Sequence, residues 1–365
     1  MERSGRTVLT VVGNRPQFIK AAAVSAHLRE RAEEVLVHTG QHYDPELSDV
    51  FFEQLEMPAP DRELGVGSGS HSEQTAAILT RLEPLVAQIE PGALLVYGDT
   101  NSTLGGALVA AKARVPLIHV EAGMRSGNRA MPEEINRMVV DSLAGLLLCS
   151  TETALRNLRD EGRDEQAVVT GDVMADIALT FGPIADQRSD VLERLDLEPR
   201  GFSVATAHRP GNVDDPERLR LLVDVLSRAA QAAPVVFPVH PRTRSRLDEM
   251  RALDGLPERG ITAVEPLGYL DMTRLVRAAR GVITDSGGLQ KEAFLASVPC
   301  LTMREETEWV ETVEAGWNKL IGLRPEAVEP ALAELPAPGA TSPAAELYGE
   351  GRAGERVAAA VAEWL

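Results

Sequence analysis

Two apolar runs, each stopping at an acid and joined by a helix-forming stretch, limit the folds open to this chain more than any other feature. From Leu94 to Arg137 the sequence reads LLVYGDT, NSTLGGALVAAKA, then RVPLIHVEAGMRSGNRAMPEEINR. The run from Ala93 to Tyr97 stops at Gly98-Asp99, Thr100 to Ser102 can cap a helix, and the run from Pro116 to Val120 stops at Glu121. This is the pattern of a β-α-β unit, and strands apolar throughout belong to a parallel sheet covered on both faces. Parallel strands open their carboxyl ends onto the crevice where ligands bind, so Asp99 and Glu121 are expected on one crevice. A third acid, Glu133, follows Met131-Pro132, with Pro132 suited to the first helical position. Three carboxylates beside one crevice point to proton chemistry. The alternative is that they cap helices or hold an arginine such as Arg125 or Arg137.

At 365 residues the chain suits two domains rather than one core. Its net charge of −18 argues against a nucleic-acid surface, and an anionic ligand needs a local basic or N–H-lined pocket. Residues 1–13 move directly into a strand pattern, and no apolar run reaches the roughly 18 residues of a membrane span, so neither a signal peptide nor a span is expected. Cys149 and Cys300 sit in the apolar runs GLLLC and VPCLTM, which read as buried free thiols of a cytoplasmic protein.

The rest of the chain repeats the strand-exit logic. A strand predicted over Thr7 to Val12 ends in Gly13-Asn14-Arg15-Pro16, so Arg15, and Lys20 one turn into the following helix, can meet an anion at the crevice mouth. Two solvated cations at a helix start are the plainer reading. The polar loop Gln41-His42-Tyr43-Asp44 is a candidate substrate or regulator loop, and a helix is expected around Asp49 to Leu55. The glycine-serine stretch Gly65 to Ser70 follows no predicted strand, fails the test for a dinucleotide loop, and reads as a mobile lid or linker. From about Ile177 to Gly201 the pattern turns helical and charged, punctuated by Pro183 and Pro199. That junction divides an N-terminal doubly wound domain, 1–176, from a second one, 177–349, with a last helix within 350–365 long enough to pack back on the first. In the second half one strand runs into His208-Arg209-Pro210-Gly211-Asn212 and another into Asp285-Ser286-Gly287-Gly288. Ser286-Gly287-Gly288 at a helix start offers open N–H groups and the positive end of a helix dipole to a diphosphate, and Glu292 can reach a ribose. The glycine pair can equally be a plain tight turn, and His208 a satisfied structural imidazole.

GNRPQFIK, HTGQHYD, VYGDTNSTL, HVEAGMRSGNRAMPEEINR, HRPGN and TDSGGLQKEA occur in this order over nearly the whole chain. They resemble the motifs of the non-hydrolysing UDP-N-acetylglucosamine 2-epimerases, and three of them are also similar to the branch that acts on UDP-2,3-diacetamido-glucuronate. The resemblance implies an α/β fold of two Rossmann-like doubly wound domains of glycosyltransferase-B type, with the active site in the interdomain cleft. It further implies a homodimer that takes a UDP-sugar, uses no cofactor and no catalytic metal, and serves polysaccharide biosynthesis. Its reaction would eliminate UDP to leave a 2-acetamidoglucal, then return UDP with the C2 proton on the opposite face. Asp99, Glu121 and Glu133 match the family's catalytic carboxylates and His208 its histidine near the departing diphosphate. Arg15 and Lys20 match its N-terminal basic pair, and Ser286, Gly287, Gly288 and Glu292 its UDP cradle. The chain departs from the pattern at Gly211, where many relatives carry a carboxylate, and at Trp309, where many bacterial members carry an arginine that helps bind the nucleotide. A glycosyltransferase of the same shape and a non-catalytic UDP-sugar sensor are the rival classes, and neither requires the three acids.

Overall fold

Runs of aliphatic residues bounded by glycine, proline and acids become short parallel strands in the computed structural model, which describes residues 7–40 and 59–365. The loop Gln41 to Asp44 and the helix expected around Asp49 to Leu55 lie outside the described residues. The chain divides into two compact units, Met1–Ile177 with Glu346–Leu365, and Ala178–Ala345.

In the first unit the strands are Thr7–Val12 (β1), Glu33–His38 (β2), Arg62–Glu63 (β3), Ala93–Tyr97 (β4), Leu117–Ala122 (β5), Leu146–Cys149 (β6) and Ala167–Val169 (β7). They form one parallel sheet in the order β3-β2-β1-β4-β5-β6-β7. Alternating side chains feed two cores. Val8, Val12, Leu95 and Tyr97 pack with Val24 and Leu28 of helix Arg15–Arg29 and with Val357 and Val361 of helix Ala353–Trp364. Leu9, Val11, Leu94 and Val96 face Ile78 and Leu82 of helix His71–Ile89, Ala107 and Ala110 of helix Asn101–Ala113, and Val140 of helix Pro132–Leu143.

The second unit repeats the plan with Ser203–Thr206 (β8), Val235–Pro238 (β9), Ile261–Val264 (β10), Gly281–Thr284 (β11), Cys300–Thr302 (β12) and Asn318–Leu320 (β13), in the order β10-β9-β8-β11-β12-β13. Helix Pro216–Ala230 covers one face through Leu219, Leu222 and Leu226, and helices Tyr269–Ala278 and Gly287–Leu295 cover the other through Leu275, Val276, Leu289 and Ala293. In both sheets the strand order reverses beside the first strand, between β1 and β4 and between β8 and β11. Those are the two places where such folds open a ligand crevice.

Three local readings change. β3 and β13 are edge strands of two and three residues that carry charge and little apolar pattern, and only backbone pairing defines them. The glycine stretch is tied down rather than free: Leu64, Val66 and Gly67 donate their N–H groups to the carbonyls of His38, Thr39 and Gly40, and Gln74 Nε2 donates to the Gly67 carbonyl. Helix Val173–Arg188 runs through Pro183 instead of stopping there, at the loss of the intrahelical bond to the Leu179 carbonyl.

The C-terminal helix docks closely because residue 354 has no side chain. Asp176 accepts the N–H groups of Ala353 and Gly354 at 3.1 and 2.7 Å, and a Cβ at Gly354 would overlap the Ala23 carbonyl of helix Arg15–Arg29. Glycine to alanine in an exposed helix normally stabilises by about 0.5–1 kcal/mol. Here overpacking against backbone should reverse the sign, so we expect Gly354→Ala to destabilise the protein by roughly 1–3 kcal/mol in chemical denaturation. A neutral or stabilising result would mean that the helix docks elsewhere.

Candidate active site

At the first reversal the backbone turns outward on both sides and side chains complete its hydrogen bonding. Gln17, buried in the first turns of helix Arg15–Arg29, accepts the Gly13 N–H at 2.8 Å and donates to the Tyr97 carbonyl and the Thr103 hydroxyl at 2.6 and 2.7 Å. A Cβ at Gly13 would overlap Ser102 and Thr39, so glycine is the residue that lets the exits of β1 and β2 approach the helix after β4. Asn14 caps helix Arg15–Arg29 and Arg15 opens it. Lys20, farther along, forms an ion pair with Glu121 Oε2, and Gly98, at φ +61°, lies against both.

Glu121 is the extra residue of a β-bulge. Ile118 and Val120 face one core and Ala122 the other, and the β5–β6 register shifts between Val120 and Ala122. Its backbone is left-handed, at φ +70°, which costs a non-glycine residue on the order of 1 kcal/mol. Strain of this kind persists where neighbours over-determine it, and here it points a buried carboxylate at Lys20. Asp99, one strand away, keeps 31% of its side chain exposed and receives Arg137 through Nε at 2.9 Å and Nη2 at 2.7 Å. Burial lifts the Asp99 carboxyl above its ordinary range, with Glu121 adding to the rise against the opposing pull of Arg137 and Lys20. Asn136 Nδ2 donates to the Asp99 carbonyl at 2.8 Å, so helix Pro132–Leu143 holds that turn by both backbone and side chain.

Asp99 and Glu121 thus share one polar cluster with Lys20 and Arg137. Glu133 stands apart. It is half-buried one turn before Arg137 on the same helical face, with no polar partner among the described residues. Its neighbour Glu134 takes the structural role, accepting the N–H groups of Ser126 and Gly127 and the Arg137 guanidinium. Burial would raise the Glu134 carboxyl, but these bonds outweigh it and hold it low.

At the second reversal the organiser is Asp285, fully buried at the end of β11. Its carboxylate accepts the backbone N–H groups of His208 at 3.1 Å and Arg209 at 3.0 Å and the Asn212 amide at 3.2 Å, and it lies 3.3 Å from His208 Nδ1. Burial opposes ionisation, yet these hydrogen bonds and the His208 ring keep the Asp285 carboxyl below its usual range. His208 is 42% exposed and packs on His240, with ring centres 5.6 Å apart. Ser286 caps helix Gly287–Leu295 through Leu289. A Cβ at Gly287 would overlap Glu308, whose carboxylate is paired with Arg304 at 2.9 Å, whereas one at Gly288 would meet nothing nearer than Ser286 Oγ at 3.9 Å. Glu292 lies farther along this helix and lines a cleft with Tyr269, Thr273 and Arg277. Trp309, the position where the chain departs from the arginine of the family pattern, lies under the Lys291 ammonium at 4.1 Å, so a cation from the helix after the glycine pair is stacked on it.

The first unit therefore gathers Lys20, Asp99 and Glu121, and the second gathers His208 with Ser286, Gly287 and Gly288 around Asp285. The sequence reading places Gln17 and Asp285 in their motifs but gives neither a role. A strand-exit amide or acid flanking a glycine turn was their only signal.

Residues 25–362 match the family model described as UDP-N-acetylglucosamine 2-epimerase. The chain is 45% identical over 359 residues to a UDP-2,3-diacetamido-2,3-dideoxy-D-glucuronate 2-epimerase of Pseudomonas aeruginosa, covering 96% of this chain and 98% of that one. It is 41% identical over 356 residues to a UDP-N-acetylglucosamine 2-epimerase homolog of Methanococcus maripaludis, covering 96% and 98%. The solved UDP-GlcNAc 2-epimerase of Methanocaldococcus jannaschii, in complex with UDP-GlcNAc and UDP, superposes with a TM-score of 0.87 at 36% identity, covering 97% of this chain and 99% of that one. With the family model spanning nearly its full length, the chain belongs to the UDP-N-acetylglucosamine 2-epimerase family.

Proposed function

We propose that this protein is a non-hydrolysing isomerase that interconverts UDP-GlcNAc and UDP-ManNAc. The observation that carries the reading is the pairing of Asp99 and Glu121 at adjacent strand exits, each with its own cation. The C2 proton of an N-acetyl sugar is weakly acidic, so its removal needs a positioned base and the departure of a good leaving group. A carboxylate takes the proton, the C–H electrons form the C1–C2 double bond of the glycal, and the C1–O electrons leave with UDP. In the return step UDP oxygen adds to C1 and an acid protonates C2 from the other face. Asp99, raised toward the neutral form, suits a proton-carrying role. Glu133, without a competing ion pair among the described residues, is the third acid. Lys20 and Arg15 neutralise developing charge, Ser286-Gly287-Gly288 cradle the diphosphate at a helix N-terminus, His208 meets its charge, and Glu292 holds the ribose.

The Pseudomonas relative supports a second reading, in which the sugar is UDP-2,3-diacetamido-glucuronate and the chemistry at C2 is the same. The reading also includes a cytoplasmic homodimer that supplies a polysaccharide pathway. Ile135 and Leu143, 43% and 37% exposed on one face of helix Pro132–Leu143, support self-association, and two buried thiols, Cys149 and Cys300, support a reducing compartment.

Three outcomes are expected. Turnover of either UDP-sugar in D2O should place deuterium at C2, read by NMR, and product retaining its original hydrogen would rule out elimination. Asp99→Asn, Glu121→Gln and Glu133→Gln should each lower kcat by roughly 10² or more with smaller effects on UDP affinity; near-normal rates in all three would return the acids to a purely structural role. Gly288→Ala should fold normally, since its Cβ has room, while weakening UDP binding where phosphate meets backbone. Unchanged UDP affinity in that variant would move the diphosphate elsewhere. Gly287 is the poorer probe, because a side chain there would first displace Glu308.

A further inference from the structure

We infer that His119 and Asp141 are positioning residues for the acid pair, a buried clamp that sets both the turn carrying Asp99 and the bulge carrying Glu121; this rests on the reading of those two acids given above. Neither side chain touches solvent. His119 Nε2 lies 2.7 Å from the Gly98 carbonyl, an oxygen that only accepts, so Nε2 donates. Its Nδ1 lies 2.6 Å from Asp141 Oδ1. The same carboxylate accepts the Gly123 N–H at 3.1 Å and Arg125 Nη1 at 2.7 Å. Burial would raise the Asp141 carboxyl, but His119 and Arg125 hold it below the usual carboxylate range. Asp141 thus accepts from Gly123 and Arg125 on one oxygen and faces His119 Nδ1 with the other.

The positions of these bonds give them their consequence. His119 and Gly123 stand two residues before and two after Glu121, and both are tied to the one carboxylate of Asp141. A left-handed glutamate in a bulge reverts to a relaxed backbone unless its flanks are fixed, and these bonds act there beside those of Val120 to Gly98 and of Gly123 to Asn157. The other side of the imidazole holds the carbonyl of Gly98, the residue before Asp99. One ring thus spans from β5 to the exit of β4 and ties the spacing of the two acids to a single carboxylate on helix Pro132–Leu143, the helix that also sends Arg137 to Asp99. Buried ion pairs that serve stability alone can often be replaced by apolar residues of similar volume at little cost. A clamp on reacting groups cannot, because misplacement of the order of 1 Å costs about 10² in rate.

The experiment compares His119→Phe, His119→Gln and Asp141→Asn with the parent enzyme. His119→Phe and Asp141→Asn should lower kcat roughly 10²-fold while leaving KM and UDP affinity within about twofold. His119→Gln, which keeps a donor for the Gly98 carbonyl, should recover part of the loss. Folded His119→Phe and Asp141→Asn enzymes turning over at the parent rate would overturn the inference. Should the variants fail to fold, 15N-histidine labelling of the parent enzyme decides: a proton on His119 Nε2, held toward the Gly98 carbonyl, supports the clamp, and a bare Nε2 overturns it. Parent-like rates in Asp99→Asn and Glu121→Gln would remove the underlying reading and the clamp together. Inactive acid variants beside fully active clamp variants would remove the clamp alone.

Discussion

Where successive crossovers leave a parallel sheet toward opposite faces, the backbone at the exits of the two central strands loses its ladder partners, and side chains have to replace them. The arrangement of both units depends on how that is done. In the first, the amide of Gln17 bridges the exit of β1 at Gly13 to the exit of β4 at Tyr97. In the second, the carboxylate of Asp285 gathers the N–H groups that follow β8. Each is buried, and each leaves the next polar residues aimed outward from the edge of the sheet: Asp99 after β4 and His208 after β8. The fold creates a deficit of hydrogen bonds in the place where a ligand can be met.

Charge follows the same geography. The protein carries −18 overall, yet the cations that matter are few and held in place. Lys20 and Arg137 are 13% and 6% exposed at their side chains and are held by carboxylates, Lys20 by Glu121 and Arg137 by Asp99 and Glu134, whereas pairs such as Arg194–Asp190 or Arg228–Glu329 lie on open surface and contribute at most about 1 kcal/mol each. A carboxylate paired with a partly buried cation is fixed in direction, which general acid–base chemistry requires more than it requires basicity. The alternative that strand-end acids hold an arginine is therefore physically realised at Asp99 and Arg137. It complements the catalytic reading, since the ion pair is what orients the acid.

The second unit offers an anion different means. Its candidate phosphate contacts are backbone N–H groups at the start of helix Gly287–Leu295, where the dipole favours negative charge and glycine leaves the approach open. The replacement of an arginine by Trp309 does not remove positive charge from this region, because Lys291 is stacked on the indole. That exchange preserves charge while altering shape.

Much of this was legible in the sequence, for reasons that can be named. Apolar runs of four to six residues ending in glycine and an acid or cation are sufficient to specify a buried parallel strand and its polar exit, so β1, β4, β5, β8 and β11 and the residues Asp99, Glu121, His208 and Ser286 could be placed on sheet edges from periodicity and turn chemistry. The edge strands β3 and β13 could not, since they have almost no apolar pattern and exist only because a neighbouring strand offers its backbone. The sequence reading names Glu133 but gives no sign of its neighbour's role: both begin the same helix, and only the fold turns Glu134 onto Ser126 and Gly127. The bulge at Glu121, the reach of Lys20 across to it and the His119–Asp141 bonds behind it join residues 18 to 101 positions apart. Local sequence determined which chemistry each strand exit carries. Tertiary structure alone decided which exits meet and which carboxylates are held, because hydrogen bonds and ion pairs depend on distances of about 3 Å that no one-dimensional spacing encodes.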